Sequence, residues 1–222
     1  FRDESADIGR VAFLCPGQGS QRPDMLKDIF VTFPWLKKHL AGGERWWQTL
    51  FPGHPFSAEA KASQRRAITD TRVAQPTLGM VELASVDLLE RFGVRPDCLA
   101  GHSYGELVAL TVAGALDTSE LAGLSEGRGV SILDAAGSDP GTMAAVAAGA
   151  EQVISAISDF TDVVLANLNA PNQTVISGPT SSVEAAVEAL QSTGISARPI
   201  RVACSFHSPV VAGAAARLAR LL

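Results

Sequence analysis

The sequence has few of the features that mark secreted, membrane-spanning or nucleic-acid-binding proteins. Its 222 residues include only three cysteines, Cys15, Cys98 and Cys204. An odd number at irregular spacing argues against a disulfide framework and fits a reducing compartment.

No apolar run approaches the roughly 18 residues that cross a membrane, and no secretory leader is recognisable at Phe1. The formal net charge is -5 and no basic cluster alternates with aromatics, so we expect a soluble, cytoplasmic protein without a nucleic-acid or membrane partner.

The remaining composition predicts a folded α/β protein. Hydrophobic residues make up 46% of the chain, enough to bury one large domain or two unequal ones. Strand and helix signals alternate, which is typical of α/β layer architectures. Residues 11–15 form an apolar run that predicts a buried parallel strand. Gln75-Pro76 precedes a predicted helix that runs to residue 91. A short strand is predicted at 97–100 and a helix at 106–116, whereas residues 30–72 indicate helical pieces joined by loops.

The pattern changes after residue 142. Strands and helices follow in the order β-α-β-β-α-β of a ferredoxin-like unit, and Asn169-Ala170-Pro171-Asn172 supplies the turn of its central hairpin. The predicted segments are strands at 143–148, 163–168, 173–177 and 195–202, helices at 151–158 and 182–190, and a final alanine-rich helix at 210–222. We expect a small domain, residues 139–203, inserted in a larger one, residues 1–138 and 204–222. The chain has no initiating methionine and the larger domain does not resume, so we expect a fragment that lacks its carboxyl-terminal part.

The pentapeptide Gly101-His102-Ser103-Tyr104-Gly105 is the strongest chemical signal. A G-x-S-x-G sequence between a short strand and a helix exposes the serine hydroxyl on a sharp turn, and the glycines let the backbone bend and a substrate approach. Taken alone, the pentapeptide also fits an ordinary glycine-flanked turn. Nucleophilic acyl chemistry at Ser103 is therefore the first hypothesis.

Two further segments fit the same chemistry. His207 follows Ser103 in the chain order used by hydrolase-like α/β folds and has the chemistry to take the serine proton; a capping or core histidine is the alternative. Pro16-Gly17-Gln18-Gly19-Ser20-Gln21 follows the first strand, so its N–H groups, with that of Tyr104, fit an oxyanion hole. An ordinary glycine-rich turn is the alternative there. A phosphate loop is excluded because no G-K-[ST] follows.

Arg128 is the third candidate. It recurs at helical spacing with Leu121, Leu124, Ile132 and Ala135, so its guanidinium falls on the apolar stripe of a helix. An inward guanidinium is costly unless a carboxylate accepts its hydrogen bonds. That carboxylate belongs either to the protein, in an internal ion pair, or to a ligand. An arginine that extends along the apolar surface towards solvent is a further alternative.

Together these segments resemble the malonyl-CoA:acyl carrier protein transacylase family, which includes the acyltransferase domains of polyketide and fatty acid synthases. The resemblance rests on four ordered motifs and runs from about Val11 to the end. They are Pro-Gly-Gln-Gly-Ser-Gln at 16–21, Gly-His-Ser-Tyr-Gly-Glu-Leu at 101–107, an arginine 25 positions after the serine, and Phe-His-Ser-Pro at 206–209. The resemblance implies an α/β-hydrolase-like large subdomain with an inserted ferredoxin-like small subdomain. The tryptophan-rich segment 35–60 is similar to type I, iterative polyketide or polyunsaturated fatty acid synthases.

The resemblance also implies roles for the residues that match its motifs. Ser103 is the nucleophile, and His207 is the general base and acid. Gln18 and Tyr104 supply the backbone N–H groups of the oxyanion hole. Arg128 holds the free carboxylate of malonyl. A backbone carbonyl beyond the end of this chain is expected to orient the histidine.

Four further residues are placed at the substrate by the same resemblance. Gln75 matches the substrate-pocket glutamine, and His102 and Asn169 fall near the site. Phe206 is typical of malonyl rather than methylmalonyl selection, and its ring would crowd an α-methyl group. The chain departs from the family at this point, because Cys-Ser-Phe-His stands where His-Ala-Phe-His is usual.

The implied reaction uses no permanently bound cofactor and no metal. Malonyl-CoA is the donor, and the phosphopantetheine thiol of an acyl carrier protein is the acceptor. The other domains of a multidomain synthase are the further partners that the resemblance implies.

Two other functions stay open. A serine hydrolase, either an esterase or a thioesterase, would use the same serine turn but needs an acidic residue between Ser103 and His207. The aspartates in that interval, none in a recognisable motif, are Asp117, Asp134, Asp139, Asp159 and Asp162, and no His-Gly-Gly-Gly loop is present. The other function is a non-catalytic domain that docks a carrier protein.

Overall fold

Residues 9–222, the part of the chain that the computed structural model describes, form both helices and strands. The predicted α/β class is confirmed. The chain divides into two compact units, one ending at Glu126 and the other beginning at Gly127. The expectations about the start of the chain at Phe1 lie outside the described residues. Among the described helices, none is both long and apolar enough to cross a membrane.

A parallel strand pair lies in the first unit. Strands β1 (Ala12–Cys15) and β2 (Cys98–Gly101) pair with Ala12 opposite Cys98 and Cys15 opposite Gly101. Because the strands are parallel, the loops that leave Cys15 and Gly101 begin at the same edge. The predicted parallel strand is confirmed, but its predicted burial was wrong. Cys15 is buried whereas Leu14 is 75% exposed, so an apolar run indicated the strand without fixing how much of it is covered.

The remaining elements of the first unit are helical, as expected for residues 30–72. They are α1 (Lys27–Thr32), a 3₁₀ helix (Pro34–Leu40), α2 (Glu44–Leu50), α3 (Ala58–Thr69), α4 (Thr71–Arg91) and α5 (Gly105–Val112). Helix α4 begins earlier than predicted, because the carboxylate of Asp70 caps it by accepting from the N–H of Arg72 at 2.9 Å. Pro76 therefore lies inside the helix rather than before it. Helix α5 ends sooner than predicted, near Gly114, which has a φ of +79°.

Helix α6 (Leu121–Ala136) leads into the second unit, which contains a four-stranded antiparallel sheet. Its elements are β3 (Thr142–Val146), α7 (Ala150–Ala156), β4 (Val164–Ala170), β5 (Gln173–Gly178), α8 (Thr180–Ser192) and β6 (Ala197–Ile200). The strand order β4-β5-β3-β6 confirms the β-α-β-β-α-β unit predicted from the sequence. Its predicted boundaries at residues 139 and 203 stay a prediction.

The core of this unit lies between the sheet and its two helices. Ala144 and Ile176 on the strands pack with Val153 on α7 and with Val183 and Leu190 on α8, all of them fully buried. After β6 the chain forms a 3₁₀ helix (Pro209–Val211) and α9 (Gly213–Leu218) in place of the single long helix predicted for residues 210–222.

Candidate active site

The turn that carries Ser103 has the strained geometry of a nucleophile turn. Ser103 has a φ of +53°, in the left-handed region that costs energy for any residue other than glycine. The two glycines of the turn lie where it approaches other backbone segments too closely to leave room for a side chain. A Cβ at Gly105 would overlap the carbonyl oxygen of Cys15, and one at Gly101 would overlap the backbone nitrogen of Glu106. The turn therefore presses directly against the end of β1.

The glycine requirement at position 105 is testable by two alanine substitutions with opposite expected signs. Gly105→Ala should lower the free energy of unfolding by about 1–3 kcal/mol, because backbone has to shift to make room for the methyl group. Gly123→Ala, in α6, should raise it by about 0.5–1 kcal/mol, since a Cβ there meets no atom within 4 Å and alanine is the better helix former. Urea unfolding of both variants measures the difference. Equal effects would contradict the close backbone approach at Gly105.

The loop of residues 16–21 lies against the same turn. The N–H of His102 donates to the carbonyl of Cys15 at 3.0 Å, and a Cβ at Gly17 would overlap the carbonyl oxygen of His102. Within residues 9–222, no backbone carbonyl accepts a hydrogen bond from the N–H of Gln18. An N–H that no carbonyl in the described structure accepts, beside a predicted nucleophile, fits the oxyanion-hole role expected of Gln18.

A polar cluster, buried at its α4 members and half-buried at Gln18, joins this loop to the start of α4. The side-chain amide of Gln75 donates to the Oε1 atom of Gln18 at 3.2 Å, and the Nε2 atom of Gln18 donates to the hydroxyl of Thr71 at 3.1 Å. Gln75 and Thr71 are both 0% exposed. The structure thus brings Gln75 and Gln18 together, although they are 57 positions apart in the sequence.

Tyr104 fixes the other side of the serine. Its side chain is fully buried, and its hydroxyl shares a 2.7 Å hydrogen bond with the hydroxyl of Ser125 on α6. The tyrosine hydroxyl occupies the space beside Gly79 on α4, where a Cβ would crowd it. Tyr104 is thereby held between two helices, and its backbone follows Ser103 directly.

Glu82 and Cys15 form an uncharged pair where β1 leads into the loop of residues 16–21. Glu82 on α4 is buried, and neither of its carboxyl oxygens accepts a hydrogen bond of normal geometry from the described residues. Burial raises the pKa of Glu82 to about 8, and the neighbouring Cys15 thiol opposes this only in part. Burial also raises the pKa of Cys15 to about 11, with a smaller contribution from Glu82. Both groups are therefore largely protonated at neutral pH, and Cys15 is not a reactive thiolate.

In the second unit, the segment that carries His207 is anchored on both sides. The hydroxyl of Ser177 on β5 donates to the carbonyl of Phe206 at 2.8 Å, and the N–H of Ser205 donates to the carbonyl of Pro140 at 2.8 Å. Ser208 accepts from the N–H of Val210 and so caps the 3₁₀ helix that follows. His207 is exposed and has a φ of +58°, a second non-glycine residue held in the left-handed region at a predicted site position.

Arg128 and His207 line one cavity of about 260 Å³ in this unit. Phe206 and Ile132 form part of its apolar wall. Among the described residues that line it, Arg128 is the only arginine or lysine. Burial raises the pKa of the nearby Cys204 thiol to about 11, and the positive charge of Arg128 opposes that rise. The cavity can accept a small acyl group that carries an anion.

The other predicted residues are less closely associated with these features. His102 is exposed on the serine turn, and Asn169 is exposed on β4 and is not among the residues that line the cavity. Sequence reasoning missed the Thr71 and Ser125 hydroxyls, because nothing local distinguishes them from other helical hydroxyls. Glu82 could have been found as an acidic residue in an otherwise apolar stretch of α4.

Comparisons with known proteins agree with this geometry. The profile of the family described as acyl transferase domain matches residues 12–222. The chain is 34% identical to the malonyl CoA-acyl carrier protein transacylase of Bacillus subtilis, over 97% of this chain and 68% of that protein. It is 32% identical to the low-reducing polyketide synthase drtA of Aspergillus calidoustus, over 97% of this chain but only 9% of that synthase.

A solved structure is also similar. It is a complex of a type II polyketide synthase acyl-carrier protein with its malonyl-transacylase, and the match has a TM-score of 0.85 and 28% identity over 96% of this chain and 69% of that one. The resemblance predicted from four sequence motifs is confirmed. With a matching profile over residues 12–222 and a nucleophile-type turn in the expected place, the chain belongs to the acyl transferase domain family.

Proposed function

We propose that the chain transfers a malonyl group from malonyl-CoA to the phosphopantetheine thiol of an acyl carrier protein. The observation that carries the proposal is the cavity that Arg128 shares with Phe206 and His207. Malonyl differs from acetyl by a free carboxylate, and a guanidinium is the side chain best suited to hold one through paired hydrogen bonds. The names of the transacylase relative and of the solved complex support the same donor and acceptor.

In the first step, Ser103 Oγ attacks the thioester carbonyl of malonyl-CoA while His207 takes the hydroxyl proton. The carbonyl oxygen becomes an oxyanion, which the N–H groups of Gln18 and Tyr104 stabilise. Collapse of the tetrahedral intermediate breaks the carbon–sulfur bond. His207 returns the proton to the leaving thiolate, and CoA departs from a malonyl-serine ester.

The second step runs the same chemistry in reverse with a different thiol. His207 takes the proton of the carrier's phosphopantetheine thiol, and the sulfur attacks the ester carbonyl. Ser103 then leaves and regains the proton. Free CoA departs before the carrier reacts, so ping-pong kinetics follow. The chemistry is the same in a stand-alone transacylase and in a synthase domain. We propose the synthase setting, as expected from the sequence.

Hydrolysis is the competing reaction. It would require an acidic residue to orient His207, and four of the five aspartates between Ser103 and His207 bind other groups. Asp117 accepts from Ser119, Asp134 binds Arg217, Asp139 accepts from Thr180, and Asp162 accepts from Ser182. The fifth, Asp159, lies in an exposed turn after α7. These contacts favour transfer between thiols over an aspartate-supported hydrolase.

A cytoplasmic location is part of the proposal. The acceptor is the free thiol of phosphopantetheine and the released CoA is a thiol, and thiols persist in a reducing compartment. The three cysteines of the chain are all free, and two of them, Cys15 and Cys204, are buried.

Intact-mass measurement after mixing the protein with malonyl-CoA tests the proposal. We expect a malonyl adduct that is discharged by a phosphopantetheinylated carrier protein. Methylmalonyl-CoA and acetyl-CoA should label less, because Phe206 crowds an α-methyl group and Arg128 has no carboxylate to bind in acetyl. Release of free malonate without an adduct would indicate a hydrolase instead. An unchanged mass with malonyl-CoA intact would leave only the carrier-docking alternative.

A further inference from the structure

The polar cluster consists of Gln75, Gln18 and Thr71, joined in that order by hydrogen bonds, with the hydroxyl of Thr71 as the last acceptor. Thr71 is the first residue of α4, and the cap at Asp70 fixes the position of that helix end. Its hydroxyl accepts from Gln18 across 53 positions of sequence at 3.1 Å. No motif identified in the sequence assigns this threonine a role.

The cluster holds both ends of the Gln18 side-chain amide. Its Nε2 atom donates to Thr71 while its Oε1 atom accepts from the amide of Gln75. Rotating the Gln18 amide alone by half a turn would set its N–H₂ against the N–H₂ of Gln75. Because Gln75 and Thr71 are buried, a mismatched pair of amide groups there costs free energy.

The backbone around Gln18 needs such a tether. Glycines flank it on both sides, and Gly19 has a φ of +115°, a conformation that only glycine adopts easily. The N–H of Gly19 donates to the side chain of Gln21 at 2.7 Å, in an exposed part of the loop. Among residues 16–21, Gln18 is the one whose side chain hydrogen-bonds to helix α4.

We propose that Thr71 is a positioning residue for acyl transfer: through the side chain of Gln18 it aims the backbone N–H of Gln18 at the oxyanion. The inference rests on the proposed function, since that N–H matters only if an acyl group reacts at Ser103. An oxyanion donor that is a fraction of an ångström out of place loses much of its effect in the transition state but little in substrate binding. Thr71 therefore acts on the rate of acylation rather than on affinity.

Two isosteric substitutions on the same helix test the proposal. Thr71→Val removes the acceptor for Gln18 and should lower the acylation rate constant about tenfold, a part of the roughly 10²- to 10³-fold that deleting an oxyanion donor costs. Thr77→Val is the matched control, because Thr77 is equally buried but its hydroxyl bonds, among the described residues, only to the carbonyls of Val73 and Ala74. It should leave the rate unchanged. Thr71→Ser keeps the acceptor and should restore acylation.

Rapid-quench mass spectrometry with malonyl-CoA measures the rate constant and the apparent affinity separately. We expect the affinity to stay within about twofold in all three variants. Gln18→Ala should lower the acylation rate constant as much as Thr71→Val does. The double variant should be no slower than either single variant, because both changes remove the same Gln18–Thr71 hydrogen bond.

Acylation by Thr71→Val at the rate of Thr77→Val would overturn the inference while leaving the proposed function intact. Should Thr71→Val fail to fold, Gln18→Ala decides alone: normal acylation in that variant overturns the inference. An unmodified protein that forms no adduct overturns the proposed transfer and this inference with it.

Discussion

Ser103→Ala is expected to abolish acyl-enzyme formation. No malonyl adduct should appear after incubation with malonyl-CoA, and transfer to a carrier protein should fall by about a millionfold, as when a catalytic serine is removed from other acyl-transferring sites. The methyl side chain of alanine has no lone pair with which to attack the thioester carbon, so the covalent intermediate cannot form. The geometry supports a complete loss. Ser103 holds a costly φ of +53° on a turn that presses against Cys15, and strain of that kind is typical of functional positions.

Ser192→Ala supplies the matched control. Ser192 is exposed at the end of α8, and within residues 9–222 its hydroxyl bonds only to the carbonyl of Ala189, so its loss should leave acylation unchanged. Far-ultraviolet circular dichroism of Ser103→Ala should match the unmodified protein, because alanine adopts the same backbone at the same position. A labelled adduct that survives in Ser103→Ala would place the nucleophile elsewhere.

The fold could be predicted from the sequence wherever one local pattern decided an element. The β-α-β-β-α-β order of the second unit was predicted because period-two and period-3.6 patterns alternate there with turn residues between them. The errors came from competing signals. Pro76 indicated a helix start, but the Asp70 cap had already begun α4, which tolerates the proline in its interior. The apolar run at residues 11–15 predicted burial, yet Leu14 is exposed, because the neighbours of a strand are set by the rest of the fold.

The chemistry of the candidate site followed from sequence in a different way. The serine turn was predictable because its glycines and its strand-to-helix position are local requirements. The cluster of Gln75, Gln18 and Thr71 was not, because its hydrogen bonds join residues more than 50 positions apart and no periodicity records them. Glu82 likewise shows its unusual pKa only when its burial is known.

Arg128 lies between these cases. Helical spacing placed it on an apolar stripe, which left open whether its carboxylate belonged to the protein or to a ligand. The structure adds that the residue lines a cavity together with Phe206 and His207. The position of Arg128 on its helix could be predicted from the sequence. The residues that share its cavity could not, because Phe206 and His207 lie more than 70 positions later in the chain.

Arg128→Ala should change which acyl group the protein selects. A single charge-assisted hydrogen bond to a carboxylate contributes about 1.5–3 kcal/mol, so kcat/KM for malonyl-CoA should fall by at least roughly 10- to 100-fold. Acetyl-CoA has no carboxylate and should react at nearly its original rate. Arg128→Lys should fall between the two, because lysine keeps the charge but not the planar pair of donors. Competition between the two thioesters, read as the ratio of adducts by mass, measures the selectivity directly.

Arg217→Ala is the control for loss of positive charge in the same unit. Arg217 pairs with Asp134 at 2.7 Å, its side chain is 43% exposed, and it is not among the residues that line the cavity of Arg128. Its removal should leave the malonyl-to-acetyl ratio as it was. A ratio that is also unchanged in Arg128→Ala would show that the guanidinium has a structural role near Cys204. If the ratio drops in Arg128→Ala alone, selection depends on a cation at this position, because a general charge effect would appear in both variants.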